Sequence, residues 1–451
     1  MWSDLPTQSD LPAVTFGELS FTFSELFALV SHNADIITRM DATYIVTDSS
    51  NPLTCWIIAL ATLFTGKRLA ILNPKIDNNQ RSSMLDNLDE TFAYYEAEIP
   101  RNIPSIRKLP SLKRSLEDPW VVLFTSGSSG NPKGVVHSFG SLQEAAKFSN
   151  RHLQANRSMK WLQSIALHHI GGFMILMRSL VGRQSVVLCQ DYKRLAETII
   201  VTKPDFLSLV PTQLIDLLRV RDCCEVLSQS QGVLVGGASL SSTLITAIRQ
   251  YNLPIIVSYG STESGAMLLG SKLGDVLYPK FCGRPLMGRN VRLNKQDKLE
   301  FSDEGSFLGY LSHGVFNPRP QWFLTSDRFA INVQGDFEFL GRDDRIFQRG
   351  GENISPDEII SRLESEEVGL NYDMLGWPDE RLGHVPYLIV MGSQPHISQL
   401  LSHIRDRLAV FQRPVKIFWQ STLGSSDKWS RQRFEQALAS GELVEIWNQE
   451  G

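Results

Sequence analysis

At 451 residues the chain exceeds what one hydrophobic core supports, so at least two domains are expected. Apolar residues at 42% and charged residues at 20% match ordinary globular usage and exclude a disordered chain. A balance of 44 basic against 48 acidic residues, with a formal net charge of −4, excludes a broad cationic surface for nucleic acid or an anionic membrane.

The start, Met1-Trp2-Ser3-Asp4, lacks a basic stretch followed by an apolar one, so no secretory signal is expected. The longest apolar run, 53–64, carries two threonines and falls short of the roughly 20 residues a bilayer crossing needs, which predicts a buried helix and a cytoplasmic protein. From about 119 to 258, apolar or β-branched runs alternate with segments of helical spacing, the pattern of a parallel sheet flanked by helices. Strands are predicted over 120–124, 184–188, 206–210, 233–235 and 255–257. A helix is predicted over 211–218, with Pro211 in its first turn and Leu214, Leu217 and Leu218 on its core face. After Arg289 the runs become short and alternating, at 290–293, 298–301 and 322–324, and the stretch 329–340 is broken by Gln334-Gly335-Asp336. This predicts a β-rich subdomain ending in a hairpin. Two further helix and strand alternations between 356 and 419 predict a second, small α+β domain. The boundary is drawn at 341/342, giving an N-terminal domain 1–341 and a C-terminal domain 342–451. Cys55, Cys189, Cys223, Cys224 and Cys282 are scattered without a C-x-x-C pair and read as reduced, structural thiols.

Immediately after the strand over 120–124 comes Thr125-Ser126-Gly127-Ser128-Ser129-Gly130-Asn131-Pro132-Lys133-Gly134. Glycines let backbone N–H groups converge on an anion, hydroxyls add donors, and a lysine supplies a movable charge, so the segment suits a polyphosphate. Its spacing is not that of the G-x-x-x-x-G-K-[ST] loop, because two residues separate Gly130 from Lys133. Composition alone would equally suit an ordinary surface loop.

The order Ser-Gly-Ser-x-Gly-x-Pro-Lys-Gly is similar to the signature of the adenylate-forming superfamily, which includes acyl-CoA synthetases, luciferases and peptide-synthetase adenylation domains. Downstream, Gly236-Gly237-Ala238 resembles the family's adenine-contacting segment, read here as following a strand and opening a helix. Ser258-Tyr259-Gly260-Ser261-Thr262-Glu263 resembles Tyr-Gly-x-Thr-Glu, implying Thr262 on the α-phosphate and Glu263 on Mg²⁺. Thr325-Ser326-Asp327 resembles Thr-Gly-Asp, implying Asp327 on the ribose hydroxyls. Gly341-Arg342-Asp343-Asp344 resembles the family's domain junction, with Arg342 near the ribose and Asp344 as hinge. The fold implied is α/β: a large N-terminal domain of α/β lobes with a β-rich subdomain, and a small mobile C-terminal α+β domain. The resemblance runs from about 121 to 428; before 119 only Thr22-Phe-Ser-Glu-Leu26 and Leu72-Asn-Pro74 share a general likeness. Taken singly, Gly236-Gly237 would be a strand-to-helix turn, Asp327 a capping residue and Asp343-Asp344 a solvated pair. Their order along the chain favours a nucleotide site.

Leu167-His168-His169-Ile170-Gly171-Gly172 resembles Pro-x-x-His-x-x-Gly, which implies His169, Gly171 and Gly172 beside the acyl group. Within the superfamily the chain is similar to the o-succinylbenzoate:CoA ligases in its short length, in 208–214, and in the spacing from His169 to Arg178. That likeness implies Arg178 against the second carboxylate of the acid, although Arg178 could equally be a surface residue on a helix. The chemistry implied uses ATP, Mg²⁺ and coenzyme A. The carboxylate attacks the α-phosphorus with Lys133, Glu263 and a C-terminal lysine assisting, and the thiol then displaces AMP, with His169 positioning the substrate and the thioester step. Lys428, in Ser425-Ser-Asp-Lys428-Trp-Ser-Arg431, is the candidate, though the family's preceding glycine is missing. Ser129, Ser258 and Ser326 are further departures. The partners are small molecules, with no nucleic acid and no membrane span, and a homodimer is left open. Rival readings are a ligase for another aryl or fatty acid, a non-catalytic nucleotide binder, and a P-loop ATPase.

Overall fold

The computed structural model describes residues 9–88, 91–100, 115–126, 132–363, 370–421, 429 and 431–449. Among these the strands form three sheets. The first has a parallel middle in the order Pro12–Phe16, Ser185–Leu188, Lys160–Gln163, Phe206–Leu209, Gly232–Gly236, Ile255–Tyr259. Beyond Ile255–Tyr259 it continues antiparallel through Leu269–Gly270 and Phe281–Pro285 to Phe337–Arg342 and Phe323–Ile331. The second sheet pairs Phe92–Tyr94, Tyr44–Asp48, Arg68–Leu72 and Pro119–Ser126 in parallel. It then adds Pro132–Ser138, Gly309–Ser312 and Val315–Pro318 antiparallel. The third, between Phe347 and Asn448, is a mixed sheet centred on Gly383–Gly392.

Helices Phe23–Thr38, Pro52–Thr65, Phe139–Leu153 and Ile170–Gly182 lie between the first two sheets, because one continuous core takes side chains from all four and from both sheets. Pro52–Thr65 is buried along its whole length, as an all-round apolar helix must be. Pro52 occupies its first turn, the Asn51 side chain accepts from Leu53 N and Thr54 N, and Gly66 ends it at φ 77°. Phe23–Thr38 begins with a capping box, Thr22 N donating to Glu25 Oε2 at 2.8 Å and Glu25 N to Thr22 Oγ1 at 3.2 Å. This is the physical role of the Thr22 to Leu26 segment. Trp120 packs against Phe139 and Phe173 in the same core, and its indole N–H reaches Thr62 Oγ1 at 3.0 Å. The opposite face of the first sheet is covered by helices Leu195–Thr202, Pro211–Leu217, Arg221–Ser228 and Ser242–Gln250.

The strands predicted over 120–124, 184–188, 206–210, 233–235 and 255–257 are present, with ends shifted by a residue or two. They do not share one sheet. Pro119–Ser126 belongs to the second, because the chain hairpins back as Pro132–Ser138 and crosses over through Phe139–Leu153 before the first sheet is built. The β-rich stretch after Arg289 is present, with the hairpin between Phe323–Ile331 and Phe337–Arg342 turning at 332–336. Gly236-Gly237-Ala238 ends a strand but does not open a helix. The next helix starts at Ser242, capped by Ser241 Oγ accepting from Leu244 N at 3.2 Å. Among the described residues no helix is long and apolar enough to cross a membrane.

One buried ion pair fixes the strand connections near the end of the first sheet. Arg289 Nη1 lies 2.8 Å from Asp303 Oδ1 with their side chains 0% and 2% exposed, and Arg289 Nη2 donates to Met267 O at 2.9 Å. Removing one partner strands the other charge in the interior. Asp303→Ala is expected to lower unfolding free energy by about 3–5 kcal/mol in urea titration. Glu197→Ala, at the exposed Arg194–Glu197 pair, is expected to leave the midpoint nearly unchanged.

Candidate active site

The hydroxyl- and glycine-rich segment begins and ends in paired strand residues. Thr125 pairs with Lys133 and Ser126 with Pro132 across Pro119–Ser126 and Pro132–Ser138. Gly127, Ser128, Ser129 and Gly130 lie outside the described residues. Lys133 is exposed, with its ammonium 5.8 Å from the centre of the Tyr310 ring.

Facing this hairpin are the ends of two parallel strands of the first sheet. Gly236 and Ser258 are in register there, and a Cβ at Gly236 would sit 2.4 Å from Ser258 O, so only glycine fits. Gly237 follows at φ 86°, a left-handed conformation costly for any residue with a Cβ. At Gly260 the backbone passes so close to Ala266 O that a Cβ would lie 1.3 Å from it. That tight fold-back presents Thr262 and Glu263 toward the second sheet. Thr262 O accepts from His137 Nε2 at 2.8 Å, Glu263 O accepts from Phe307 N at 2.8 Å, and Glu263 Oε1 accepts from the Tyr310 hydroxyl at 2.7 Å. Burial pushes His137 down to about 4, outweighing the Thr262 bond, so the ring is neutral and a fixed donor.

Asp327 and Arg342 are cross-strand partners in the hairpin after 322. The Tyr259 hydroxyl donates to Asp327 Oδ2 at 2.5 Å; burial, then the Asp327 charge, hold the phenol well above its ordinary range and keep it a donor. Asp327 Oδ1 is buried without a hydrogen bond and lies 3.3 Å from Arg342 Nη1, which leaves one acceptor open. Arg342 also grips Asp344 with two donors, Nε to Oδ1 at 2.8 Å and Nη2 to Oδ2 at 2.6 Å.

These groups surround one cleft of about 1970 Å³, whose walls include Thr125, Gly237, Ala238, the run 258–263, Asp327, Arg342 and Asp344. Trp429 and Arg431 line it from the C-terminal region. Lys133, Gly236, His169, Gly171, Gly172 and Arg178 are not among its walls. Lys428 lies outside the described residues. No group of three or more His, Cys, Asp or Glu side chains suited to a metal occurs among the described residues. A lone carboxylate at Glu263 with one oxygen uncommitted to Tyr310 fits a hard ion whose other ligands are phosphate oxygens and water.

His169 caps the helix Ile170–Gly182, its ring 4.1 Å from that of His168. His168 Nδ1 is hydrogen-bonded to Ser49 Oγ at 2.5 Å, and burial, then His169, then Lys75, push it down to about 3. Gly172 is required here, since a Cβ would lie 2.3 Å from both Ile165 O and Ala166 O. Arg178 is not a surface residue: it is 2% exposed, stacked 5.5 Å over the Trp161 ring, with Nε buried and unbonded. It makes no ion pair among the described residues. Burial, then the nearby Arg289 charge, lower it to about 10. Sequence reasoning missed Tyr310 and His137. Tyr310 is 47 residues from Glu263 and reads locally as an ordinary strand tyrosine, so no local signal points to it.

Residues 84–308 match the family described as AMP-binding enzyme. The chain is 25% identical to a 2-succinylbenzoate--CoA ligase of Bacillus velezensis over 423 residues, 85% of each chain. It is 25% identical over 464 residues to one from Enterococcus faecalis, covering 94% of this chain and 95% of the relative. Among solved structures, o-succinylbenzoate CoA synthetase (MenE) from Bacillus subtilis in complex with the acyl-adenylate OSB-AMP has a TM-score of 0.78 at 22% identity, covering 94% of this chain and 95% of that one. The same enzyme with ATP and magnesium ion gives 0.77 at 21%, covering 94% and 97%. Wild-type E. coli MenE with a bound analogue of OSB-AMS gives 0.72 at 24%, covering 96% of each. At these identities the superpositions establish the fold.

The depressed His137 gives a pH dependence of definite sign. Unfolding returns the ring to the ordinary histidine value of 6.5, so the unfolded chain binds the extra proton between there and about 4. Stability from this group is complete above pH 6.5 and is lost as pH falls toward 4, on the order of 3 kcal/mol in all. Thermal melts across that range should fall more steeply for the wild type than for His137→Gln.

Proposed function

We propose, from the match of residues 84–308 to the AMP-binding enzymes, that this chain is one of them and acts as an ATP-dependent acid–thiol ligase. It converts o-succinylbenzoate to o-succinylbenzoyl-CoA through an acyl-adenylate, a step toward menaquinone or phylloquinone. The observation that carries this reading is the convergence on one cleft of Thr125 from one sheet, Thr262 and Glu263 from the other, and Asp327 with an open buried acceptor.

In the first half-reaction the substrate carboxylate attacks the α-phosphorus, the bond to the bridging oxygen breaks and pyrophosphate leaves. The segment 125–130 and Lys133 hold the outer phosphates with backbone N–H groups, hydroxyls and one ammonium. Thr262 orients the α-phosphate. Gly237 and Ala238, with Gly236 behind them, offer adenine a surface bearing no side chain larger than a methyl beside Ser258, Tyr259 and Gly260, and Asp327 accepts from the ribose hydroxyls with Arg342 alongside. Glu263 would hold Mg²⁺, which when bound supplies positive charge to the phosphate oxygens. Lys428 reaches the carboxylate and the α-phosphate. For the second half we take 342–451 as a unit that turns about Asp344 relative to 1–341, withdrawing Lys428 and admitting the CoA thiol, which displaces AMP.

The acid is chosen by Arg178. What supports this role is a guanidinium sealed from water with no counter-ion among the described residues, on the helix that His169, Gly171 and Gly172 open. Such a charge is costly unless an anion reaches it, and a dicarboxylic acid brings one. The 2-succinylbenzoate--CoA ligases matched over most of this chain point to the same acid. The relevant partners are therefore small molecules, and the five cysteines, all free and buried, suit the reducing cytoplasm in which we place the chain.

The test is AMP release with CoA, comparing o-succinylbenzoate, benzoate and fatty acids. o-Succinylbenzoate should give the highest kcat/KM. Arg178→Ala should lower it about 100-fold, roughly 3 kcal/mol, for that acid and much less for benzoate. Faster turnover of a fatty acid, or release of inorganic phosphate instead of pyrophosphate, would overturn the assignment. Lys428→Ala should slow acyl-adenylate formation at least about 100-fold while leaving thioester formation from preformed adenylate intact.

A further inference from the structure

Glu263 and Lys133 come from different sheets, yet one side chain touches both. Tyr310 lies on the strand Gly309–Ser312, directly opposite Val135 of Pro132–Ser138. Side chains two apart on a strand share a face, so Tyr310 and Lys133 stand on the same side of the second sheet, as does Thr125, the cross-strand partner of Lys133. The ammonium of Lys133 is 5.8 Å from the centre of the Tyr310 ring, and the Tyr310 hydroxyl donates to Glu263 Oε1 at 2.7 Å. The ring itself is wedged edge-on against Phe307, with centroids 5.0 Å apart, and lies tilted against Phe323 at 6.2 Å. Phe307 in turn donates its backbone N–H to Glu263 O at 2.8 Å. A rigid aromatic side chain therefore carries a hydrogen bond to the carboxylate at its tip and an ammonium at its face.

We propose that Tyr310 is a positioning residue that holds the Glu263 carboxylate and the Lys133 ammonium against the triphosphate together, leaving Glu263 Oε2 free of the tyrosine hydrogen bond for a divalent ion. The proposal rests on the reading of the cleft as an ATP site. The hydroxyl engages Oε1, so a bound ion meets a carboxylate already oriented, with Oε2 clear of that bond. The ring face supports the ammonium, which without it would sample the many rotamers of a free lysine. Tyr310→Phe removes the first effect and keeps the second, while Tyr310→Leu removes both.

The full-length protein is titrated with ATP by calorimetry, once in EDTA and once across a Mg²⁺ series, for wild type, Tyr310→Phe and Tyr310→Leu. Thermal melts of each verify folding. For Tyr310→Phe the Mg²⁺ concentration giving half of the affinity gain should rise about tenfold, while metal-free ATP binding stays within about twofold of wild type. Tyr310→Leu should show the same rise together with metal-free ATP binding weakened about threefold or more. The inference is overturned if Tyr310→Phe follows the wild-type Mg²⁺ curve, or if it weakens metal-free and Mg²⁺-supported binding equally. A wild type that binds no ATP under either condition would instead remove the nucleotide reading and the inference with it, so the two failures are told apart.

Discussion

Two sheets that share no strand are joined at Thr262 and Glu263, and the candidate site depends on that junction. Among the described residues three hydrogen bonds cross it: His137 to Thr262 O, Phe307 N to Glu263 O, and the Tyr310 hydroxyl to Glu263 Oε1. Each donor is fixed. His137 is kept neutral by burial, Phe307 is a backbone N–H, and Tyr310 is packed between phenylalanines. The fold-back at Gly260, too close to Ala266 for any side chain, brings the two residues to the seam. A polyphosphate needs cationic and hydroxyl donors on one side and a metal-holding carboxylate on the other, and neither sheet carries both sets alone.

Elements whose cause is local could be read from the residues themselves. The run 53–64 is apolar on all sides and is a buried helix, while Gln334-Gly335-Asp336 breaks an alternating stretch and is a hairpin turn. The strands over 184–188, 206–210, 233–235 and 255–257 show as β-branched runs separated by helical spacing, and they lie together. What depends on distant pairing could not be read this way. The strand Pro119–Ser126 looks like its neighbours downstream but pairs with Arg68–Leu72, a choice made by the hairpin that follows it.

The site divides along the same line. Thr125, Gly237, Ala238, Thr262, Glu263, Asp327 and Arg342 stand in recognisable runs, and the structure gathers them at one cleft. Arg178 was ambiguous because the helix around it is apolar on every side, so periodicity has no polar face on which to assign an arginine; packing between the sheets decides that it is buried. Tyr310 had no signal, since its significance lies in a register across Gly309–Ser312 and Pro132–Ser138 that local pattern does not encode.

The sharing of Arg342 between Asp327 and Asp344 has a thermodynamic corollary. A ligand hydroxyl that engages Asp327 alters the competition for the guanidinium, and with it the grip on the 343–345 turn. Linkage then runs equally in reverse: any displacement of that turn feeds back on how firmly such a hydroxyl is held, by the same factor. Occupancy at one end of the cleft and freedom at the chain's crossing point into the third sheet are thus two readings of a single equilibrium.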